Sequence, residues 1–143
     1  HSNFNKVIVK TPKIYFHDTG LLCHLLGICS QEDLELHFAK GNIFENLVIS
    51  EMYKNSINNA TKSKIYFWRD KSQNEVDLIV ETGVRLDAIE IKSAKTIYQN
   101  QFRGLDYFKN LKADTNLHLV YGGNENQERT NYSVHSILNL PQF

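Results

Sequence analysis

Four polar residues lie in segments of the chain that otherwise have the pattern of buried helix or sheet: Glu45, Asp77, Glu90 and Lys92. Carboxylates gathered in one cleft repel one another unless protons or a cation intervene. Oxygen ligands in this number suit Mg²⁺ or Mn²⁺, which also bind phosphate oxygens. A lysine beside them can orient a water molecule or neutralise the charge that develops on a phosphate under attack. The set therefore indicates metal-assisted phosphodiester hydrolysis, with the three acids as metal ligands and all four residues as catalytic.

A plainer interpretation of the same residues stays open. A sheet with one face in water alternates apolar and charged side chains, and these charges are then merely solvated. A single Glu-x-Lys pattern is also common by chance. The order of the residues favours a site, because a helical Glu45 is followed by Asp77 on one strand and by Glu90-Ile91-Lys92 on the next.

Glu45 belongs to a predicted helix, "GNIFENLVISEMYKNSINN". Its apolar side chains follow the helical period of about 100° per residue and form a broad arc. The arc comprises Phe44, Leu47, Val48, Ile49 and Met52, and the other face comprises Asn46, Ser50, Tyr53 and Lys54. Glu45 lies inside the arc and Glu51 on its flank. Each of these two carboxylates is either solvated at an edge of the apolar arc or has a functional role.

Three predicted strands follow, "KIYFWRD", "EVDLIVE" and "LDAIEIKSA", joined by polar or Gly-containing turns. Side chains alternate between the two faces of a strand. In the second strand this alternation places Val76, Leu78 and Val80 on the face opposite Asp77. In the third strand it places Glu90 and Lys92 on one face and Ile89 and Ile91 on the other, so the acid and the lysine point the same way.

The remaining segments complete a mixed α/β domain. A leucine-rich helix with Asp18 or Thr19 as its cap and a second helix capped by Ser30 precede the core. "NQFRGLDYFKNLK" predicts an amphipathic helix, "NLHLVYGG" a strand, and "YSVHSILNL" a weaker strand or helix. We predict one compact domain around a mixed sheet, in which residues 1–40 form a helical preface, 41–122 an αβββαβ core and 123–143 a C-terminal extension.

Composition excludes several classes of protein. Lys plus Arg and Asp plus Glu each number 16, so no overall field attracts the domain to nucleic acid, and any such binding depends on a local patch. No membrane span, signal peptide or Gly-Lys-Ser/Thr nucleotide loop occurs, so we expect a cytoplasmic fragment that itself binds no ATP by that route. Cys23 and Cys29 are predicted to be buried, inert thiols rather than zinc ligands or a disulfide.

The sequence resembles a known family across about residues 10–122. The segments "KTPKIYFHDTGLL", "GNIFENLVISEMYK", "IYFWRDKSQNEVDLIVE" and "AIEIKSAK" look like the C-terminal domain of unknown function of bacterial and archaeal AAA-type ATPases. The order of acids and lysine also resembles the PD-(D/E)xK, restriction-endonuclease-like nucleases, with Val76-Asp77 in place of their Pro-Asp pair. The resemblance implies a restriction-endonuclease-like fold and, as a partner, a P-loop ATPase module that is absent from this sequence. It also implies the metal-binding and catalytic roles given above for Glu45, Asp77, Glu90 and Lys92.

Two further expectations concern binding. Arg69 matches the family pattern and is predicted either to contact a substrate phosphate or to form a salt bridge with an acid of the site. Lys71 and Lys95 are candidates for phosphate contact, and with Lys62, Lys64 and Arg103 they form either a DNA-binding patch or a solvated rim. The rival function is a catalytically inactive nuclease fold that serves as a protein-interaction or regulatory module for the ATPase. A role in phage defence or a toxin–antitoxin pair is a weaker third possibility.

Overall fold

The computed structural model describes residues 12–141. This part of the chain contains four α-helices, six strands and two short 3₁₀ helices at Gln99–Phe102 and Ile137–Asn139. The helices are α1 (Thr19–Leu25), α2 (Gln31–Leu36), α3 (Lys40–Asn58) and α4 (Arg103–Leu111). The strands are β1 (Lys64–Arg69), β2 (Glu75–Thr82), β3 (Arg85–Lys92), β4 (Thr115–Tyr121), β5 (Gln127–Arg129) and β6 (Tyr132–Ser136). The predicted order of helix, three strands, helix and strand is confirmed from α3 to β4.

The strands form one mixed sheet in the order β1-β2-β3-β4-β6-β5. The first three strands are antiparallel neighbours, β3, β4 and β6 are parallel, and β5 is antiparallel to β6. Because parallel neighbours need a long crossover, the chain passes through α4 between β3 and β4. The short strand β5 was not predicted, and both β5 and β6 place the C-terminal extension within the sheet.

Helices cover the sheet on both faces, which makes three layers. On one face α3 packs over a core that includes Val48, Met52, Leu78 and Ile89. On the other face Phe102, Leu105 and Phe108 of the α4 segment pack over a core that includes Val76, Ile79, Ala88 and Leu119. The predicted alternation in β3 is confirmed, since Ile89 and Ile91 belong to the α3 side and Ala88 to the α4 side.

Strand β2 contains a bulge that the sequence did not predict. Along β1, Tyr66 pairs with Ile79 and Trp68 pairs with Val76, so β2 carries one additional residue across Asp77 and Leu78. As a result Val76 packs on the α4 side, whereas Leu78 packs on the α3 side. The prediction that Val76, Leu78 and Val80 share a face is therefore wrong for Val76, because a bulge interrupts the two-residue period.

Two residues on the polar face of α3 are buried. Asn46 is 3% exposed and Ser50 is 5% exposed, so both lie in the interior. The Asn46 side chain accepts a hydrogen bond from the Phe16 N–H and donates to the Phe16 carbonyl and to Thr19 Oγ1. The Ser50 hydroxyl donates to the Leu47 carbonyl one turn earlier. Satisfied polar side chains of this kind are tolerated in a core, and hydropathy alone does not identify them.

The helical preface has the predicted caps but not the predicted burial. Asp18 caps α1 through the Leu21 N–H, and Ser30 forms a capping box with Asp33 at α2. Neither helix buries any of its residues. Cys23 is accordingly half-buried and Cys29 exposed, so the prediction of buried thiols is wrong, while both are free thiols as expected. None of the helices in the described part of the chain has the length and apolar character that a membrane crossing requires.

A row of polar side chains, of which Asp87 and His118 are buried, crosses the parallel strands on the α3 side. The Asp87 carboxylate, which is fully buried, accepts from Asn116 Nδ2 at 2.9 Å and lies 3.1 Å from His118 Nε2. The other ring nitrogen of His118 is 3.0 Å from His135 Nε2. Burial, and secondly the neighbouring His118, lower the pKa of His135 to about 4. These polar side chains therefore connect β3, β4 and β6, in addition to the backbone hydrogen bonds between the strands.

Candidate functional site

Asp77 lies where β2 and β3 separate. The register of these two strands runs from Thr82↔Arg85 to Leu78↔Ile89, and the bulge begins at the next residue of β2. The Asp77 Oδ2 atom accepts a hydrogen bond from the Ile91 N–H at 2.8 Å, so the carboxylate satisfies a donor of the neighbouring strand. Asp77 is 8% exposed. Its position in the plane of the sheet gives it neighbours on both the α3 and the α4 side.

On the α3 side Asp77 meets Glu45 through a lysine that sequence reasoning missed. The Lys13 ammonium lies 3.1 Å from Glu45 Oε1 and 3.9 Å from Asp77 Oδ1, and it also pairs with Glu75. The Tyr15 hydroxyl donates to the same Glu45 oxygen at 2.6 Å. Lys13 and Tyr15 are two residues apart, so an extended segment presents them on the same side. That spacing was the available signal for Lys13.

On the other side Asp77 meets the Glu-x-Lys pair. The Lys92 ammonium lies 2.5 Å from Glu90 Oε1 and 3.9 Å from Asp77 Oδ2. Glu90 Oε2 is buried without a hydrogen-bond partner within the described residues. It lies close to Gly104 at the start of α4, where a Cβ atom would be 3.5 Å from this oxygen. The structure thus brings together all four predicted residues, with Asp77 between Glu45 and the pair on β3.

Burial and mutual repulsion shape the protonation of the two buried acids. Burial, and secondly the charge of Asp77, raise the pKa of Glu90 to about 7. Burial also raises the pKa of Asp77, although the nearby Lys92 opposes the shift. Burial alone would lower the pKa values of Lys92 and Lys13, but the surrounding carboxylates outweigh it and raise both. At neutral pH the lysines are therefore charged, and Glu90 exchanges a proton near pH 7.

Arg69 forms the salt bridge that was one of its two predicted roles. Its Nε lies 3.4 Å from Oε2 of Glu75, its partner across β1 and β2. Glu75 in turn pairs with Lys13, so Arg69 joins the cluster from the β1 side. Glu75 was not predicted as part of the site. Glu75 is two residues before Asp77, a spacing that places both side chains on one face of a regular strand. The bulge at Asp77 interrupts that regularity.

Lys71 and Lys95 are not in contact with the acids. Lys71 is exposed in the turn between β1 and β2, and Lys95 is exposed after the end of β3. The charge of Lys95 acts with the nearer Lys40 to lower the pKa of Glu35 on α2, and Lys40 has the larger effect. Both lysines therefore lie outside the cluster.

The carboxylates match Mg²⁺ or Mn²⁺ in kind but are not arranged as a preformed cage. Their oxygens are hard ligands, and the partnerless Glu90 Oε2 has capacity for a bond. Among residues 12–141, however, no three or more His, Cys, Asp or Glu side chains are placed so that they could hold one ion together. The Lys13 and Lys92 ammonium groups lie among the acids instead. An open groove of about 680 Å³, lined in part by Lys13, Glu45, Arg69 and Glu75, leads to the cluster.

This geometry defines a mixed α/β domain with an acid and lysine cluster at a fork in its sheet. Residues 40–143 match the family model described as a domain of unknown function, DUF4143, and the chain belongs to this family. An uncharacterized protein of Mycobacterium tuberculosis and one of Mycobacterium bovis are each 36% identical to it over 95 residues. The match covers 66% of this chain and 21% of each relative. The chain therefore spans about a fifth of the length of these relatives.

Proposed function

We propose that this domain is a nuclease-like module of the restriction-endonuclease-like class that binds DNA and hydrolyses its phosphodiester bonds with Mg²⁺. The observation that carries the proposal is the position of Asp77, which has Glu45 on one side and the Glu90 and Lys92 pair on the other. The acids on either side of Asp77, Glu45 and Glu90, are 32 and 13 residues away from it in the sequence. A merely solvated sheet face would leave them apart and exposed, whereas Asp77 and Glu90 are 8% and 9% exposed.

In this proposal Asp77, Glu90 and Glu45 hold the metal ion. When bound, Mg²⁺ supplies Lewis-acid polarisation of the phosphate and positive charge against it. The Lys92 ammonium, held by Glu90 and Asp77, orients the attacking water or stabilises the charge that develops on the phosphate. Arg69, Lys71 and Lys95 contact the flanking phosphates.

We also propose that the domain works for an ATPase module in a longer protein. Two observations support this. Four segments of the chain resemble domains that follow AAA-type ATPase modules. Its mycobacterial relatives are about five times longer than the matched part. A nuclease-like domain that such a motor positions on DNA would need little DNA affinity of its own, which agrees with the balanced charge of 16 basic and 16 acidic residues.

Cleavage and binding assays test the nuclease proposal. The 143-residue chain is incubated with supercoiled plasmid and with branched DNA in Mg²⁺ or Mn²⁺, beside Asp77→Asn, Lys92→Ala and the control Lys54→Ala. Lys54 pairs with Glu51 on α3, away from the cluster. We expect cleavage by wild type and the control and a loss of at least about a hundredfold in the two site variants. Equal products from all four proteins, or from none, would rule out the enzyme.

One observation favours a second candidate, an inactive nuclease fold that binds and regulates a protein partner. Every acid of the cluster has a lysine partner, since Glu45 pairs with Lys13, Glu90 with Lys92, and Asp77 lies near both. Such pairing neutralises the acids without a metal ion. This candidate predicts that Mn²⁺ does not bind to the domain at millimolar concentration, as measured by titration calorimetry.

A further inference from the structure

The Lys13 ammonium group lies between carboxylates of the cluster. Its ammonium group contacts carboxylate oxygens from three residues, Glu45, Glu75 and Asp77, which come from two different elements. It also lies 5.7 Å from the centre of the Phe67 ring on β1. Two of these three acids, Glu45 and Asp77, are among the three residues that the proposed function assigns to Mg²⁺. An ammonium group and a dication that share these carboxylates repel each other, so each weakens the binding of the other.

The segment that carries Lys13 is attached to the domain independently of the lysine. Asn46 binds both backbone groups of Phe16, at 2.6 Å to the nitrogen and 3.0 Å to the oxygen. A third bond from Asn46 reaches Thr19 Oγ1 at 3.0 Å. Lys13 is three residues away from this anchor, its side chain is 27% exposed, and it lines the open groove. The ammonium group can therefore leave the acids while the segment stays attached.

We propose that Lys13 is a built-in competitor of the divalent cation, so that the ammonium and the metal ion bind the Glu45 and Asp77 carboxylates in turn. This inference rests on the proposed function, because it concerns the same acids. It explains why acids that match a metal ion in kind are not arranged as a cage in a structure where the lysine is inserted between them. It also assigns Lys13 a regulatory role, because any change that moves its ammonium group away from the acids would allow the divalent cation to bind.

Metal affinity tests the competition without any activity assay. Mn²⁺ binding to the 143-residue chain is measured by electron paramagnetic resonance for wild type, Lys13→Met and the control Lys54→Met. Methionine keeps the length and apolar stem of lysine and removes the charge. We expect Lys13→Met to bind Mn²⁺ about tenfold more tightly than wild type, because the cation next to the site is gone. Lys54→Met, which removes the same charge outside the cluster, should change the affinity by less than about twofold.

The outcomes separate this inference from the proposed function. Equal affinities of wild type and Lys13→Met would overturn the competition and leave the metal site standing. Failure of both proteins to bind Mn²⁺ would overturn the metal site and the competition with it. A second readout is the reactivity of Lys13 toward an amine-specific reagent, followed by mass spectrometry. Added Mn²⁺ should increase labelling at Lys13 and leave labelling at Lys64 unchanged, and an unchanged Lys13 would contradict the exchange.

Discussion

The Asp77 carboxylate accepts the backbone N–H of Ile91 at 2.8 Å, so a side chain of β2 takes the place of a main-chain acceptor beside β3. This bond fixes both strands at the point where they separate. It also gives Asp77 a structural role that is separable from its charge. The amide oxygen of asparagine can accept the same hydrogen bond, whereas alanine cannot.

The first prediction compares these two substitutions at position 77. Asp77→Ala should be less stable than Asp77→Asn by about 1–3 kcal/mol, because it leaves the buried Ile91 N–H without an acceptor. Asp77→Asn should be at least as stable as wild type, since burial already disfavours the ionised acid and raises its pKa. Urea denaturation at pH 7 measures both differences. Equal stability of the two variants would show that the hydrogen bond contributes nothing.

The second prediction concerns the contact between α4 and β2. A Cβ atom on Gly104 would lie 2.3 Å from the Glu75 carbonyl oxygen, which is backbone and has little freedom to move. Gly104→Ala should therefore displace α4 and cost about 1–3 kcal/mol in the free energy of unfolding. Gly41→Ala is the matched control, because Gly41 is in α3 and a Cβ there would meet no atom within 4 Å beyond its chain neighbours and the backbone of its own helix. That control should be neutral or stabilising, since alanine favours the helix.

The third prediction is a pH dependence set by Glu90. Its pKa is raised to about 7 in the folded protein from 4.5, so the folded state holds a proton that the unfolded state has lost between these values. Its contribution to stability is fully present below about pH 4.5 and is lost as the pH rises through 7. Glu90→Gln imitates the protonated form. In EDTA, its melting temperature relative to wild type should therefore increase from pH 5 to pH 8.

The control for this experiment is Glu32→Gln, which removes a charge from exposed α2. Its difference from wild type should not follow the same curve. A melting-temperature difference between Glu90→Gln and wild type that stayed constant from pH 5 to pH 8 would contradict the raised pKa.

The fourth prediction concerns the anchor of the segment before α1. Asn46→Ala removes three hydrogen bonds and leaves half-buried groups of Phe16 and Thr19 unpaired, so it should cost about 1–3 kcal/mol. It should also speed proteolytic cleavage between residues 12 and 19 in native conditions, since the segment is then held mainly by Lys13 and Tyr15. Asn58→Ala near the exposed end of α3 is the control and should change neither stability nor cleavage. Unchanged cleavage in Asn46→Ala would rule out the anchor.

The fifth prediction tests the peripheral lysines. If Lys71 and Lys95 each contact a phosphate, their joint replacement by alanine should lower DNA affinity. It should also reduce the slope of log affinity against log salt by about 2. Fluorescence anisotropy with a labelled duplex measures both quantities. The Lys54→Ala protein should retain the wild-type slope, and an unchanged slope in the double variant would assign the two lysines to a solvated rim.

Features that depend only on local sequence, such as helix caps and the faces of regular strands, could be predicted. The caps at Asp18 and Ser30 and the shared face of Glu90 and Lys92 follow from helical and strand geometry alone, and each is present. The direction of Asp77 could not be predicted in this way, because a single additional residue in β2 changes the face and depends on how β1 pairs with it.

Lys13 was missed for a related reason. Ile14 is 82% exposed while Lys13 and Tyr15 on either side of it face the acids, which reverses the arrangement that hydropathy predicts. The inward lysine is stable there only because three carboxylates from later parts of the chain surround it. Contacts of that range depend on tertiary structure, and the two-residue spacing of Lys13 and Tyr15 indicates only that the two side chains share a face.

The row of Asp87, His118 and His135 favours one register of the parallel strands over the others. Backbone hydrogen bonds between parallel strands are nearly the same in every alignment, so they do not distinguish one from another. A shift of β4 by one residue would turn His118 to the opposite face and leave the fully buried Asp87 without its histidine partner. Folding intermediates with the wrong register would be destabilised by the unpaired buried carboxylate. We therefore expect them to be little populated during folding.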